Sequence, residues 1–174
     1  MAENQNPMRK ITVEKITLNV GAGKDENTLK KGIKLITQLA GKEPIKTTAK
    51  KRIPNWGLRP GLPIGCKLTL RGKEAEDMIV RMLKAKENIL NEKQFDNNGN
   101  VAFGVPEYID ITGAKYDPEI GIMGLEIAIT LTRPGFRIKA RKLKTKSVGK
   151  AHRITKEEAI DFMKTKFNAK IGEQ

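Results

Sequence analysis

The 174-residue chain carries 34 Lys+Arg against 20 Asp+Glu, a formal net charge of +14 and a pI near 9.9. Such a field favours polyanions, nucleic acid first and an anionic membrane second. One cysteine excludes an internal disulfide and a Cys-based zinc site, and no apolar run reaches transmembrane length.

In chain order, residues 1–8 are polar and expected to fray. The opening MAENQNPMRK has no signal-peptide core, so a cytosolic protein with no membrane partner is expected. From Met8 to Val20 the pattern is extended, with Ile16, Leu18 and Val20 on one face and Lys15, Thr17 and Asn19 on the other. GAGK, Gly21 to Lys24, leads into Asp25-Glu26-Asn27, which starts a helix. Leu29, Ile33, Ile36 and Ala40 form its apolar stripe, widened by Leu35 and Leu39, and Gly41 ends it.

The stretch Pro44–Gly72 is a hairpin with a projecting arm. In its second half Ile64, Cys66, Leu68 and Leu70 alternate with Gly65, Lys67, Thr69 and Arg71. In the first half, Ile45, Thr47 and Ala49 are expected inward and Lys46, Thr48 and Lys50 outward. Between them lies the arm, residues 52–63, with three prolines, Arg52, Arg59 and the only tryptophan, Trp56. Proline cannot continue a ladder, and a loop this long in a compact domain is usually functional or disordered.

A helical stripe from Ala75 to Leu90 follows, expected to end near Asn91. QFDNNGN breaks it; Val101–Val105 and Tyr108–Thr112 read as short extended pieces. Leu125, Ile127, Ile129 and Leu131 alternate with Glu126, Ala128, Thr130 and Thr132 in another one-sided strand. Residues 137–153 are a basic run, either a solvated linker or an RNA-tracking tail. Thr155 and Glu158 have capping-box spacing, with Ile154 and Ala159 as a staple, before a last helix with Ala159, Ile160, Met163 and Phe167 on one side.

This order predicts one α+β domain, residues 1–174: a single, mostly antiparallel sheet with helices on one face. The other face is left open. Lys15, Thr17, Asn19, Lys46, Thr48, Lys50, Lys67, Thr69, Arg71, Thr130 and Thr132 belong there, a flat surface of hydroxyls, one amide and cations. Such a surface suits the shallow minor groove of folded RNA. With 5% aromatic content it lacks the rings on which single-strand binders stack bases.

GAGK invites a phosphate-loop reading and fails it. The Walker pattern needs glycine where Leu18 stands and Ser or Thr where Asp25 stands; the dinucleotide pattern needs glycine at Glu26. The expectation is a tight turn whose backbone donors, with Lys24, meet an RNA phosphate. A nucleotide-dependent or RNA-cleaving enzyme built on this turn is the rival class, and an RNA chaperone a second. Cys66 is expected to be buried and inert, and His152 has no metal partners.

The segments KITLNVGAGK, KTTAKKRIPNWGLRPGLPIGCKLTLRG and GNVAFGVPEYIDITGAKYDPEIGIMGLEIAITLTRPGFRIKARK together resemble a known family: the 5S-rRNA-binding proteins numbered five of the large ribosomal subunit. The resemblance spans roughly Met8 to Phe167, and the ending is similar to the archaeal and eukaryotic branch. It implies a non-enzymatic protein without cofactor, in the cytoplasmic large subunit. The implied partners are 5S rRNA, large-subunit rRNA, P-site tRNA and neighbouring ribosomal proteins. It implies 5S contacts at Asn19, Gly21, Gly23, Lys24, Lys46, Thr48, Thr69 and Arg71. It also implies tRNA contacts along the arm at Trp56, Gly57, Leu58, Arg59, Pro60, Gly61 and Leu62, with Arg52 at its base.

Overall fold

Alternation along the strands decides which way the sheet faces. A computed structural model describes residues 6–172. It contains β1 (Thr12–Gly21), α1 (Glu26–Ala40), β2 (Ile45–Thr48), β3 (Pro63–Leu70), α2 (Lys73–Ala85), β4 (Ile89–Asn91), β5 (Asn100–Val105), β6 (Leu125–Thr132), α3 (Lys156–Phe167) and β7 (Lys170–Gly172). Five strands make one antiparallel sheet in the order β2-β3-β1-β6-β5, and β4 pairs with β7 in a separate parallel ribbon. The α+β architecture is the one expected.

Ile16, Leu18, Val20, Cys66, Leu68, Leu70, Ile127, Ile129 and Leu131 are all buried and join one core with Leu29, Leu35 and Ile36 of α1 and Met78, Ile79 and Met82 of α2. Each such side chain removed from water stabilises the fold by about 1.5–3 kcal/mol. The approach of α1 is close because Gly32 has no side chain: a Cβ there would lie 2.9 Å from Val20 Cγ1 and 3.2 Å from Cys66 Sγ. Asp25 caps α1 by accepting from Asn27 N–H, and Gly41 ends it in the left-handed region at φ 65°.

The structure corrects several boundaries. Residues 1–5 lie outside the described range; Pro7–Arg9 form a short 3-10 turn, and β1 begins only at Thr12. Helix α2 stops at Ala85, because Glu87 and Asn88 both take positive φ, 55° and 59°. Ile89 to Asn91 then form β4, whose partner β7 comes from the far end of the chain. A three-residue strand with a distant partner carries no local signal. Tyr108–Thr112 is not extended either: Tyr108–Asp110 is a 3-10 turn, with Tyr108 buried and its Oη accepting from Asp117 N–H at 2.9 Å. The following loop is pinned to α1 by Lys34, which donates to Asp117 at 2.7 Å and holds that carboxyl below the usual range.

The capping box at the start of α3 is formed. Thr155 N–H donates to Glu158 Oε2 at 3.0 Å, Glu158 N–H donates to Thr155 Oγ1 at 3.3 Å, and Ile154 and Ala159 are buried beside it.

Candidate nucleic-acid interface

The register arranges the open face in rows. One row runs Ile45, Lys67, Asn19, Glu126, Gly104 across all five strands. The next runs Thr69, Thr17, Ala128, Ala102, and a third runs Lys15, Thr130, Asn100. At about 4.8 Å per strand, the first row is about 19 Å wide. Lys67 and Thr69 are exposed, and Lys15, Thr17, Asn19, Thr130 and Thr132 half-buried, on the side away from the buried residues of the same strands.

Two features of this surface depart from a simple cationic platform. Asn19 Nδ2 donates to Glu126 Oε2 at 2.9 Å, so an acid sits in the middle of the first row. The alternation of β6 already places Glu126 there; only its contact with Asn19 is tertiary. The β5–β6 half is otherwise uncharged and built of small residues. Thr17, Asn19, Ala102 and Ala128 line a shallow hollow of about 440 Å³, and Gly21, Gly104, Pro106 and Gly124 help line a second of about 460 Å³. Positive charge is therefore concentrated over β1 and β3. Arg71, just past β3, lies against Glu14, with Nη1 3.3 Å from Oε1. Glu14 occupies the register shift in β1 between Val13 and Lys15.

Strand β2 faces the opposite way from expectation. Ile45 stands opposite Lys67 and is 69% exposed, while Lys46 stands opposite Cys66, on the helix side at the sheet edge. The alternation of IKTT fits either phase, and pairing with β3 selects one. Past a second register shift Thr48 stands opposite Pro63; Thr48 and Lys50 are exposed.

The GAGK turn is also corrected. The N–H groups of Ala22 and Gly23 both donate to Ile64 O, at 2.9 and 3.0 Å. Those donors are spent holding the turn on β3, so they form no phosphate cradle. Gly21, Gly23 and Lys24 are exposed. The Lys24 stem runs beside the arm: a Cβ on Gly57 would lie 3.7 Å from Lys24 Cδ. The turn and the arm, distant in sequence, thus share one surface.

The arm is ordered rather than loose. Ile53 and Leu58 close a small bridge around the 3-10 turn Pro54–Trp56, and Gly57 takes φ 67°. Gly61 N–H donates to Ala49 O at 3.0 Å and Ala49 N–H to Leu62 O at 2.8 Å. Leu58 is 7% exposed, so its side chain holds the arm and has no free face for a ligand. Leu62 is half-buried. Arg52, Trp56, Gly57, Arg59, Pro60 and Gly61 are exposed, Trp56 at 66%. From Pro44 to Lys73 the chain contains eight Lys or Arg and no acid.

Elsewhere the chemistry is quiet. Cys66 is buried, and burial pushes its thiol above the usual range. His152 Nε2 contacts Pro134 O at 2.9 Å, and its ring stands edge-on to Phe136. Among the described residues no group of three or more His, Cys, Asp or Glu could hold a metal ion, and no helix is long and apolar enough to cross a membrane.

Comparison with known proteins identifies the family. The family model for ribosomal protein L5 matches residues 6–59, and the model for the C-terminus of the same ribosomal family matches residues 63–168. The chain is 47% identical to the large ribosomal subunit protein uL5 of Sulfurisphaera tokodaii, with 99% of each chain covered. It is 44% identical to that of Nitrosopumilus maritimus, covering 97% of each, and 45% identical to that of Nanoarchaeum equitans, covering 96% of this chain and 99% of the relative. With both family models matched and these archaeal relatives covered end to end, the chain belongs to the ribosomal protein L5 family, a family of ribosomal proteins and not of enzymes.

Proposed function

We propose that this protein, a constituent of the large ribosomal subunit in the cytoplasm, binds 5S rRNA across the open face of its sheet and presents its arm to P-site tRNA. One observation carries the first part. The helices cover one face only, and the uncovered face sets Lys15, Thr17, Asn19, Lys67 and Thr69 side by side. Lysines there neutralise phosphates and release counter-ions, while hydroxyls and the amide set register on sugar and phosphate oxygens. The small residues of β5 and β6 let an RNA backbone approach the sheet itself. Large-subunit rRNA and neighbouring ribosomal proteins complete the partner set.

The arm supports the second part. It holds Trp56 and Arg59 outward on a stiffened loop beside Lys24, where ring and guanidinium can meet a second RNA. The test of the first part is filter binding of 5S rRNA to the Asn19→Ala/Thr69→Ala variant. A loss of tenfold or more at unchanged thermal stability is expected; unchanged affinity overturns the assignment of this face.

A further inference from the structure

Beyond the last strand of the sheet lies a second acid-free stretch. From Arg133 to Lys156 the chain contains ten Lys or Arg and no Asp or Glu. A run of this kind is ordinarily solvated and unstructured. Here it is folded. Phe136 and Val148 are buried, Lys146 N–H donates to Ile138 O at 3.2 Å, and Arg141 Nε donates to Lys144 O at 2.9 Å. Its two ends are clamped by buried Arg133, which donates to Glu158 Oε1 at 2.7 Å and to Arg153 O at 3.2 Å.

The segment's cations have no acidic partners among the described residues, and only Lys139 finds a ring, its Nζ lying 4.8 Å from the Phe136 centroid. Among the described residues, none of Arg137, Lys139, Arg141, Lys142, Lys144 or Lys146 makes an ion pair. Folding therefore crowds like charges on one ordered segment, at a Coulombic cost that a polyanion relieves as it displaces counter-ions. A hollow of about 320 Å³ lies in the segment, lined by Phe136, Val148 and Ile154 together with Lys139 and Arg153. Apolar floor and cationic side chains suit a sugar–phosphate strand. A protein partner would need an apolar centre, and Leu143, 78% exposed, is the one large apolar side chain the segment exposes.

Position separates this surface from the GAGK turn and the arm. Thr132, the last residue of β6 and four residues before the segment, stands opposite Thr12 at the start of β1, whereas the GAGK turn follows Gly21 at its end. Ten strand residues place the two ends about 30 Å apart. We propose that residues 136–153 form a second RNA-backbone site, independent of the open sheet face, that grips the phosphates of a separate RNA helix.

The test uses the full chain and a 20-base-pair RNA duplex as probe. Lys142→Gln/Lys144→Gln/Lys146→Gln should weaken duplex binding at least tenfold and flatten the salt dependence by about two to three counter-ions. The corresponding Lys→Arg triple should bind like wild type, which separates charge from folding. The Gln triple should leave 5S rRNA affinity within twofold, and its duplex losses should add to those of Lys15→Gln/Lys67→Gln. A Gln triple within twofold of wild type for the duplex, non-additive losses, or equal displacement of the duplex by poly-glutamate overturns the proposal. Failure of the 5S assignment shows instead as unchanged 5S affinity in the Lys15/Lys67 variant, whatever the duplex does.

Discussion

Arg133, three residues before the basic segment, and Glu158, the third residue of α3, meet at 2.7 Å, with the arginine side chain 4% exposed. The same carboxylate accepts from Thr155 N–H, so one side chain completes both a helix cap and a loop closure. Burial raises the Glu158 carboxyl, but the Thr155 N–H and Arg133 outweigh it, and its pKa lies below the usual range. A carboxylate lowered in the folded state stabilises above its unfolded pKa, near 4.3, and that stability is lost as pH falls through the folded value. Glu158→Gln should therefore cost about 2 kcal/mol at pH 7, because it strands a buried guanidinium. The variant should also lose less stability than wild type on acidification below about pH 4.3. Thermal melts from pH 7 to 3 check both; parallel curves for the two proteins contradict the account.

Glu126 is the acid within the proposed 5S platform. Its removal as Glu126→Gln keeps a hydrogen-bond acceptor for Asn19 and deletes a charge that repels phosphate. RNA affinity at low salt should rise about threefold to tenfold, and the gain should shrink as salt screens the face. A fall in 5S affinity on fluorescence titration would show that Glu126 serves RNA by orienting Asn19.

The arm divides into side chains that hold it and side chains that project. Trp56→Ala with Arg59→Ala should leave 5S affinity and melting temperature unchanged while weakening P-site tRNA on reconstituted subunits. Leu58→Asp should instead unfold the arm, because a carboxylate would replace a side chain that is 7% exposed. Protease cleavage confined to residues 50–63 in Leu58→Asp, and absent in the double variant, is the expected pattern.

Gly65 sits where β2, β3 and β1 meet. A Cβ there would lie 2.6 Å from Val20 O and 3.1 Å from Thr47 Oγ1, and the first of these is backbone with no room to move. Gly65→Ala should cost about 1–3 kcal/mol by overpacking. Urea denaturation measures it, and a stabilised variant would show that the sheet yields at this point.

Cys66 offers a probe of the core. Its thiol is buried and pushed toward the neutral form, so a thiol reagent should react only on unfolding. A rate in native buffer comparable with that in denaturant would mean the α1–β3 contact opens readily.

By itself the sequence determined which residues of β1, β3 and β6 are buried. Strict alternation leaves a strand one way to hide its apolar side chains, and the helical stripes supply the cover. It determined the α3 cap, because Thr155 and Glu158 are three residues apart and meet locally, and it placed the excess charge. Tertiary structure decided what depends on distant partners. Pairing with β3 set the phase of β2, turning Lys46 to the helix side and Ile45 to the open side. The Ile64 carbonyl took the GAGK donors, Lys24 came to rest beside Gly57, and β7 drew Ile89 and Leu90 out of the helical pattern. In each case several local conformations were close in energy, and a hydrogen bond or packing contact from far along the chain selected one of them.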